Sequence, residues 1–433
     1  MEWLEILTLA LTFLTFLALG VPIAYSIGLS SLCTLWVSMD SLTDFTTIAQ
    51  RMGTGLDSFA LLAIPFFILA GQLMNQGGIA DRLIAFAKSL IGWLPGGLAH
   101  VNIIANMLFG AISGSAVASA SAIGGVMHKR MVKDGYEPEI SASVNISSAV
   151  TGLIIPPSNV LIVYSLASGG ASIGALFVAG YIPGFLVGLT LMVVAGYFAV
   201  KKKYPRDPVA KLSDTWRSFV AALPSLLLLF IVIGGIIGGI FTATEASAIA
   251  VLYALALSLI YKEIGWKDMP KILLSSANTT SIVMILIATS MAMSWVLAFE
   301  NIPQSVSEAM LAVSDNPIVV LLIINVTLLV VGVFMDITPA VLIFTPIFLP
   351  VVEQMGIHPV HFGIIMVLNL CIGLTTPPVG SVLFVGSAVA NVRIAQVIRP
   401  LLPMFVAMIL ALLLVTYIPQ LSMWLPELFG LVK

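Results

Sequence analysis

The sequence predicts an all-α polytopic membrane protein, an inverted repeat with two re-entrant helical hairpins and two proline-broken helices. Three observations carry this. Of 433 residues, 60% are hydrophobic and 9% charged, against about 25% charged in a soluble domain. Apolar runs of about 20 residues, the length that crosses a hydrocarbon core of about 30 Å, recur along the chain. The motif GLIIPP at 152–157 returns as GLTTPP at 373–378, 221 residues later.

The expected spans are 3–20, 22–39, 58–76, 139–165, 173–200, 217–238, 242–262, 272–297, 361–385 and 398–418. The N-terminal MEWLE is acidic, whereas a signal peptide needs a basic start, so the first run is expected to be an uncleaved span. Two further apolar stretches, 97–131 and 317–352, are interrupted by ISGSAV at 112–117 and by FMDITPA at 334–340. Each half is short for a span, so both are expected to be re-entrant hairpins.

Orientation follows from the basic residues, which favour cytoplasmic loops. With the N-terminus outside, 16 of the 18 Lys and Arg are cytoplasmic, and only Arg51 and Lys433 are not. The first hairpin, flanked by Arg82, Lys88 and HKRMVK at 128–133, then opens to the cytoplasm. The second, flanked by Glu308, Asp315 and Glu353, opens outward. Adding 221 to the early spans lands on the later ones. Each copy makes five crossings, an odd number, so the second copy is inverted.

The expected organisation is scaffold helices and an interfacial arm at 1–96, and a hairpin, broken helix and closing span at 97–200. A cytoplasmic linker follows at 201–216, then a second scaffold set at 217–316 and a second hairpin set at 317–433. Segments 80–94 and 301–315 read as amphipathic interfacial helices. Leu83, Phe86, Leu90 and Trp93 share one face of the first, and Ile302, Val306, Met310 and Val313 one face of the second. Each is either a surface loop helix or a lever joining a fixed body to a moving one.

Two adjacent prolines inside a helix cost about 3 kcal/mol apiece. Pro156 and Pro157 should free the carbonyls of Gly152 and Leu153, and Pro377 and Pro378 those of Gly373 and Leu374. Bare carbonyls at membrane depth survive where they line a cavity or bind a ligand. Carbonyls and hydroxyls are hard donors that suit Na⁺. Hydroxyls lie close by at Thr151, Ser158, Thr375 and Thr376, and the hairpin tips add Ser113, Ser115, Asp336 and Thr338. One Na⁺ site per repeat is expected, between hairpin tip and broken helix. The plainer alternative is a proline kink filled by water or neighbouring hydroxyls.

Asp336 is the one acidic residue expected at mid-membrane, where a carboxylate is functional by default. It also fits a helix N-cap before Thr-Pro, and both roles can hold together. No Lys or Arg falls in the expected core. An anionic substrate would therefore be held by helix N-termini, backbone N–H groups and hydroxyls, with Asn159 and Ser381 as further candidates.

Other function classes fit poorly. No basic cluster suits nucleic acid, HExxH does not occur, and Cys33 and Cys371 in apolar runs suggest no disulfide framework. His358 and His361 are expected to be solvated in a short external loop. Inverted repeats with broken helices point to a secondary transporter; a channel would pass substrate without coupling.

At GLIIPPSN (152–159), GLTTPPVG (373–380), ISGSAVASA (112–120) and GVFMDITPAVLIFTPIFLP (332–350), the chain resembles the large membrane subunit of tripartite ATP-independent periplasmic (TRAP) transporters, nearly end to end. The resemblance implies an elevator-type, Na⁺-coupled importer of a carboxylate, C4-dicarboxylate or sialic acid, in the bacterial inner membrane. It implies two partners, a periplasmic substrate-binding protein and a small four-helix membrane subunit, and no organic cofactor. By motif position it places Na⁺ ligands at Gly110, Ser113, Gly152, Ile155 and Pro157. The repeat places a second set at Gly332, Met335, Gly373, Thr376 and Pro378. Ser115, Asn159, Asp336, Thr338 and Ser381 are left for substrate. No residue decides the substrate. A stand-alone carboxylate exchanger of related architecture, H⁺-coupled and needing no binding protein, is the alternative.

Overall fold

In a computed structural model, residues 2–38, 43–377 and 380–432 are described. The first repeat runs α1 (Glu2–Ala18), α2 (Ile23–Ser38), α3 (Thr43–Leu56), α4 (Ala63–Gln76), α5 (Ile79–Ile91), α6 (Gly97–Ser113), α7 (Ala116–Lys133), α8 (Pro138–Ala149), α9 (Thr151–Ile154), α10 (Asn159–Ala167) and α11 (Ile173–Lys202). The second runs α12 (Leu212–Ile237), α13 (Ala243–Ile260), α14 (Met269–Phe299), α15 (Ile302–Val313), α16 (Pro317–Phe334), α17 (Ile337–Gln354), α18 (Pro359–Gly373), α19 (Ser381–Ala390), α20 (Ile394–Tyr417) and α21 (Gln420–Leu428). Helix starts at 116 and 337, 138 and 359, and 173 and 394 are each 221 residues apart.

Among the described residues, eight helices are long and apolar enough to cross a membrane, or nine if the bent α8–α10 pair counts as one. The expected spans at 3–20, 22–39 and 361–385 are shorter helices. Gly20, in the left-handed region at φ 80°, and Pro22 end one and start the next. α18 ends at Gly373, in a turn where the N–H groups of Thr375 and Thr376 bond back to the carbonyls of Ile372 and Gly373. Two helices were not expected, α3 in the loop between α2 and α4 and the short terminal α21. His361 is a correction: it lies buried in α18, its Nδ1 2.6 Å from the Ser422 hydroxyl. It docks α21 rather than meeting solvent. His358 instead takes the N-cap of α18, accepting from the Val360 N–H.

The hairpin turns differ in chemistry. In the first, Gly114 ends α6 at φ 61°, and the Ser115 hydroxyl accepts from the Ala118 N–H to start α7. A left-handed glycine followed by a serine N-cap makes the shortest reversal between helices. The second has no glycine. Met335 and Asp336 are both extended, and Asp336 sits at the N-cap of α17 without a side-chain cap bond.

Two sets of helices share contacts. In one, α4 packs on α13, α2 and α3 on α14, and α12 on α13. In the other, each hairpin packs on its own repeat's broken helix, α6 on α8 and α9 and α16 on α18. That pairing is also exchanged between repeats, because α10 packs on α17 and α19 on α7. The arms α5 and α15 lie between the sets, against α6 and α12 and against α17 and α14. Their inner faces bury Leu83 and Ile84, and Ile302 and Met310, while Leu90, Trp93 and Val313 face outward.

Buried amides fasten hairpin to broken helix in both repeats. Asn106 Nδ2 lies 2.8 Å from the Ser148 hydroxyl and 3.1 Å from Asn145 Oδ1, and the Ser119 hydroxyl donates to Asn106 Oδ1 at 2.7 Å. In the second repeat Asn369 Nδ2 donates to Asn325 Oδ1 at 2.7 Å, and Asn325 to the Thr416 hydroxyl at 3.1 Å.

Candidate functional site

Both hairpin tips end in one cavity of about 530 Å³. One wall belongs to the hairpins and broken helices: Ser113 to Ala118, Asn159, Asp336 to Thr338, and Ser381. The other belongs to α4 and α14: Gln72 and Asn75, with Gly71, and Thr279. The five residues expected for substrate (Ser115, Asn159, Asp336, Thr338 and Ser381) therefore line a single space, although they come from four helices of both repeats.

Those four helices, α7, α10, α17 and α19, all start at the cavity. A helix N-terminus carries about half a positive charge and unpaired N–H donors. Three have no side-chain cap bond: α17, and α10 and α19, the outgoing halves of the two broken helices. The N–H groups of Asn159, Val160 and Leu161 make no hydrogen bond to a described residue. The Ser158 hydroxyl and Asn159 Oδ1 are buried without a partner. Among the described residues the lining holds no Lys, Arg or His. Asp336 opens onto the space and pairs with no cation among the described residues. Four helix N-termini thus face the cavity, with one carboxylate at its edge.

The expected Na⁺ ligands fall beside this space. Gly110 on α6 meets Gly152 on α9 backbone to backbone, and Gly332 meets Gly373 in the same way. Gly114 brings the first tip next to Asn159 and the Pro157 carbonyl, 3.4 and 3.6 Å from where a β-carbon would stand. No backbone N–H among the described residues reaches the carbonyls of Gly152 or Leu153, and Ile155 leaves α9 extended. Pro156 and Pro157 are joined by a cis bond. The Ser113 hydroxyl touches only the Ser115 carbonyl, at 3.5 Å.

The second break departs from expectation. Thr376 N–H donates to the Gly373 carbonyl at 2.9 Å, and Val382 N–H to that of Leu374 at 3.1 Å, so neither carbonyl is bare. The chain folds back tightly here because Gly380 lacks a side chain; a β-carbon there would stand 2.5 Å from the Leu374 oxygen. The Thr376 hydroxyl donates to the Ile372 carbonyl at 2.8 Å. Met335, buried, ends α16. Pro378 lies outside the described residues. A carbonyl with one donor still has a second lone pair, so this break can offer oxygens, but fewer of them are unpaired.

Gln72, Asn75 and Thr279 escape sequence reasoning. Their signal was polarity inside apolar helices: Gln72 and Asn75 stand three apart on α4 in FILAGQLMNQ, one face of the helix.

Apolar helices around two hairpins, whose tips meet at a shared cavity with polar groups in its lining, define a secondary-transport permease. The family model for the tripartite ATP-independent periplasmic transporter, DctM component, matches residues 10–421. The chain is 40% identical to the Vibrio cholerae sialic acid TRAP transporter large permease protein, over 95% of this chain and 96% of that one. It is 41% identical to the Pseudomonas aeruginosa C4-dicarboxylate TRAP transporter large permease protein, over 94% and 95%. Its fold resembles the crystal structure of the Alcanivorax borkumensis YdaH transporter, with TM-score 0.66 at 13% identity over 98% of this chain and 100% of that one. The chain belongs to the TRAP large permease family.

Proposed function

We propose that the chain is the permease of a Na⁺-coupled carboxylate importer of the bacterial inner membrane. Substrate is delivered by a periplasmic binding protein, and a small membrane subunit sits alongside. The observation that carries this is the single cavity where four helix N-termini of both repeats converge without a basic side chain. Such a frame favours a carboxylate through dipoles and N–H donors. The relatives' names, sialic acid and C4-dicarboxylate, supply the substrate range. At nearly equal identity they do not choose within it.

Sodium is the cargo ion that suits bare carbonyls and hydroxyls. The first break supports a site at Gly110, Ser113, Gly152, Ile155 and Pro157. The second supports a weaker one at Gly332, Met335, Gly373, Thr376 and Pro378. The amide clamps favour movement of hairpins and broken helices as one body past α4 and α14, an elevator. The arms α5 and α15 are the levers between them. The distribution of basic residues favours a periplasmic N-terminus.

The test is uptake of labelled sialic acid, succinate and gluconate into proteoliposomes, with and without the binding protein, in NaCl or choline chloride. The expected result is uptake of one substrate that needs both protein and Na⁺. Uptake that ignores the binding protein would point to a stand-alone exchanger. Equal uptake in choline would remove Na⁺ coupling.

A further inference from the structure

We infer that the cavity selects a hydroxylated monocarboxylate, an acid of the sugar-acid class, over a short dicarboxylate, and that Gln72 and Asn75 read its hydroxyls. The charge half of this inference rests on the Na⁺-coupled reading above.

Begin with charge. Among the described residues the lining contributes one ionisable group, Asp336, and no cation. One Na⁺ per repeat brings two positive charges beside it. Asp336 and a single substrate carboxylate then leave the loaded site neutral. A second carboxylate would leave it negative in a space lined mainly by apolar surface, where uncompensated charge is costly. The N-termini of α10 and α19 carry no side-chain cap, and both open on the cavity. Their N–H donors suit one carboxylate. At the other two starts the Ser115 hydroxyl caps α7, and the Asp336 carboxylate stands before α17 without a cap bond, where it repels a second anion.

Next consider what faces that carboxylate. The α4 and α14 wall offers Gln72, Asn75 and Thr279. Neither Gln72 nor Asn75 hydrogen-bonds any described residue through its side chain, and both are half-buried. An amide carries two donors and an acceptor with two lone pairs, which matches hydroxyl groups and does not favour a second anion. Ser121 and Thr338 continue the same lining. A polyol chain would satisfy these groups, whereas the methylenes of a four-carbon diacid would leave them unpaired, which is how a polar site rejects a ligand lacking hydroxyls.

The experiment is thermal unfolding of the full-length permease in detergent at fixed Na⁺, with sodium D-gluconate, sodium succinate or chloride. Chloride salts of Na⁺ and choline, compared first, report the Na⁺ reading by itself. The expected result is a rise in midpoint of about 2 °C or more with excess gluconate and none with succinate. A succinate response equal to or larger than that of gluconate overturns the inference. So does no response to gluconate when Na⁺ still stabilises, which leaves Na⁺ coupling standing. A gluconate response without a Na⁺ response supports the substrate class and overturns the coupling. Asn75→Leu and Gln72→Leu should each raise the gluconate concentration for half-maximal effect by about tenfold, with the Na⁺ response intact. Asp336→Asn should admit succinate. If Gln72→Leu does not fold, Asn75→Ala carries the same test. Unchanged gluconate affinity in a folded Asn75 variant overturns the role given to this wall.

Discussion

Gly110 and Gly152 meet with no side chain between them: a β-carbon on Gly110 would lie 2.5 Å from the Gly152 α-carbon, and one on Gly152 would come nearer still to Gly110. Gly332 and Gly373 repeat the arrangement, with a β-carbon on Gly332 3.1 Å from the Gly373 α-carbon. Each hairpin therefore touches its broken helix through bare backbone, beside the carbonyls that the proline pairs expose or turn. Gly152→Ala should force two backbones apart and cost about 1–3 kcal/mol. Gly332→Ala should cost less, because its gap is wider. Thermal unfolding of the two variants checks the order, and a milder Gly152→Ala would contradict it.

Gly71 does the corresponding task across the cavity. A β-carbon there would stand 2.6 Å from the carbonyl oxygen of Ser113, so α4 runs flush against the first hairpin tip. If the hairpin body slides past α4, bulk at this point should obstruct transport more than folding. Gly71→Val is expected to leave a folded, Na⁺-responsive protein with uptake reduced by about tenfold or more. Normal uptake by Gly71→Val would argue against sliding along this face.

Much of this architecture was legible because membrane helices follow simple length and breaker rules. Glycine and proline mark the ends of α1, α2 and α18, and the GS and MD dipeptides mark the hairpin turns. Ser115 and Asp336 were read as hairpin-tip groups; they stand 221 residues apart, each precedes a hairpin's second helix, and both line the one cavity. Contacts with no local signature were not legible. Gln72 and Asn75 in α4 look like ordinary polar packing until the hairpin tips are seen opposite them. His361 looked solvated because its partner, Ser422, lies 61 residues away. The carbonyls of Gly373 and Leu374 looked bare because the turns that bring Thr376 N–H to the first and Val382 N–H to the second have no periodicity to betray them.

The amide clamps make a separate prediction. Asn106 and Asn369 are buried and surrounded by groups that have no water to turn to. Asn369→Leu would leave the Asn325 carbonyl oxygen without its donor, and Asn106→Leu would strand the hydroxyl of Ser119. Loss of a partner to a buried polar group costs about 1–3 kcal/mol. Each variant should lower the unfolding midpoint, and the double mutant Asn325→Leu with Asn369→Leu should recover part of the loss. A further fall of equal size in the double mutant would mean the two amides do not act as a pair.

The two breaks should respond unequally to loss of a hydroxyl. Ser113 has only the long contact to the Ser115 carbonyl, so its oxygen is available to an ion. Thr376 already donates to Ile372, and its break has its nearest carbonyls hydrogen-bonded. Ser113→Ala should therefore raise the Na⁺ concentration for half-maximal thermal stabilisation by about tenfold, the worth of one good ligand contact of about 1.4 kcal/mol. Thr376→Val should raise it by less, since backbone oxygens dominate there, while expression of both variants stays close to the parent. Titrating the unfolding midpoint with NaCl against choline chloride at constant ionic strength gives the comparison. A larger effect of Thr376→Val would reverse the ranking of the sites and would mean that the tightly turned second break, with its paired carbonyls, holds the ion more firmly than the open first one.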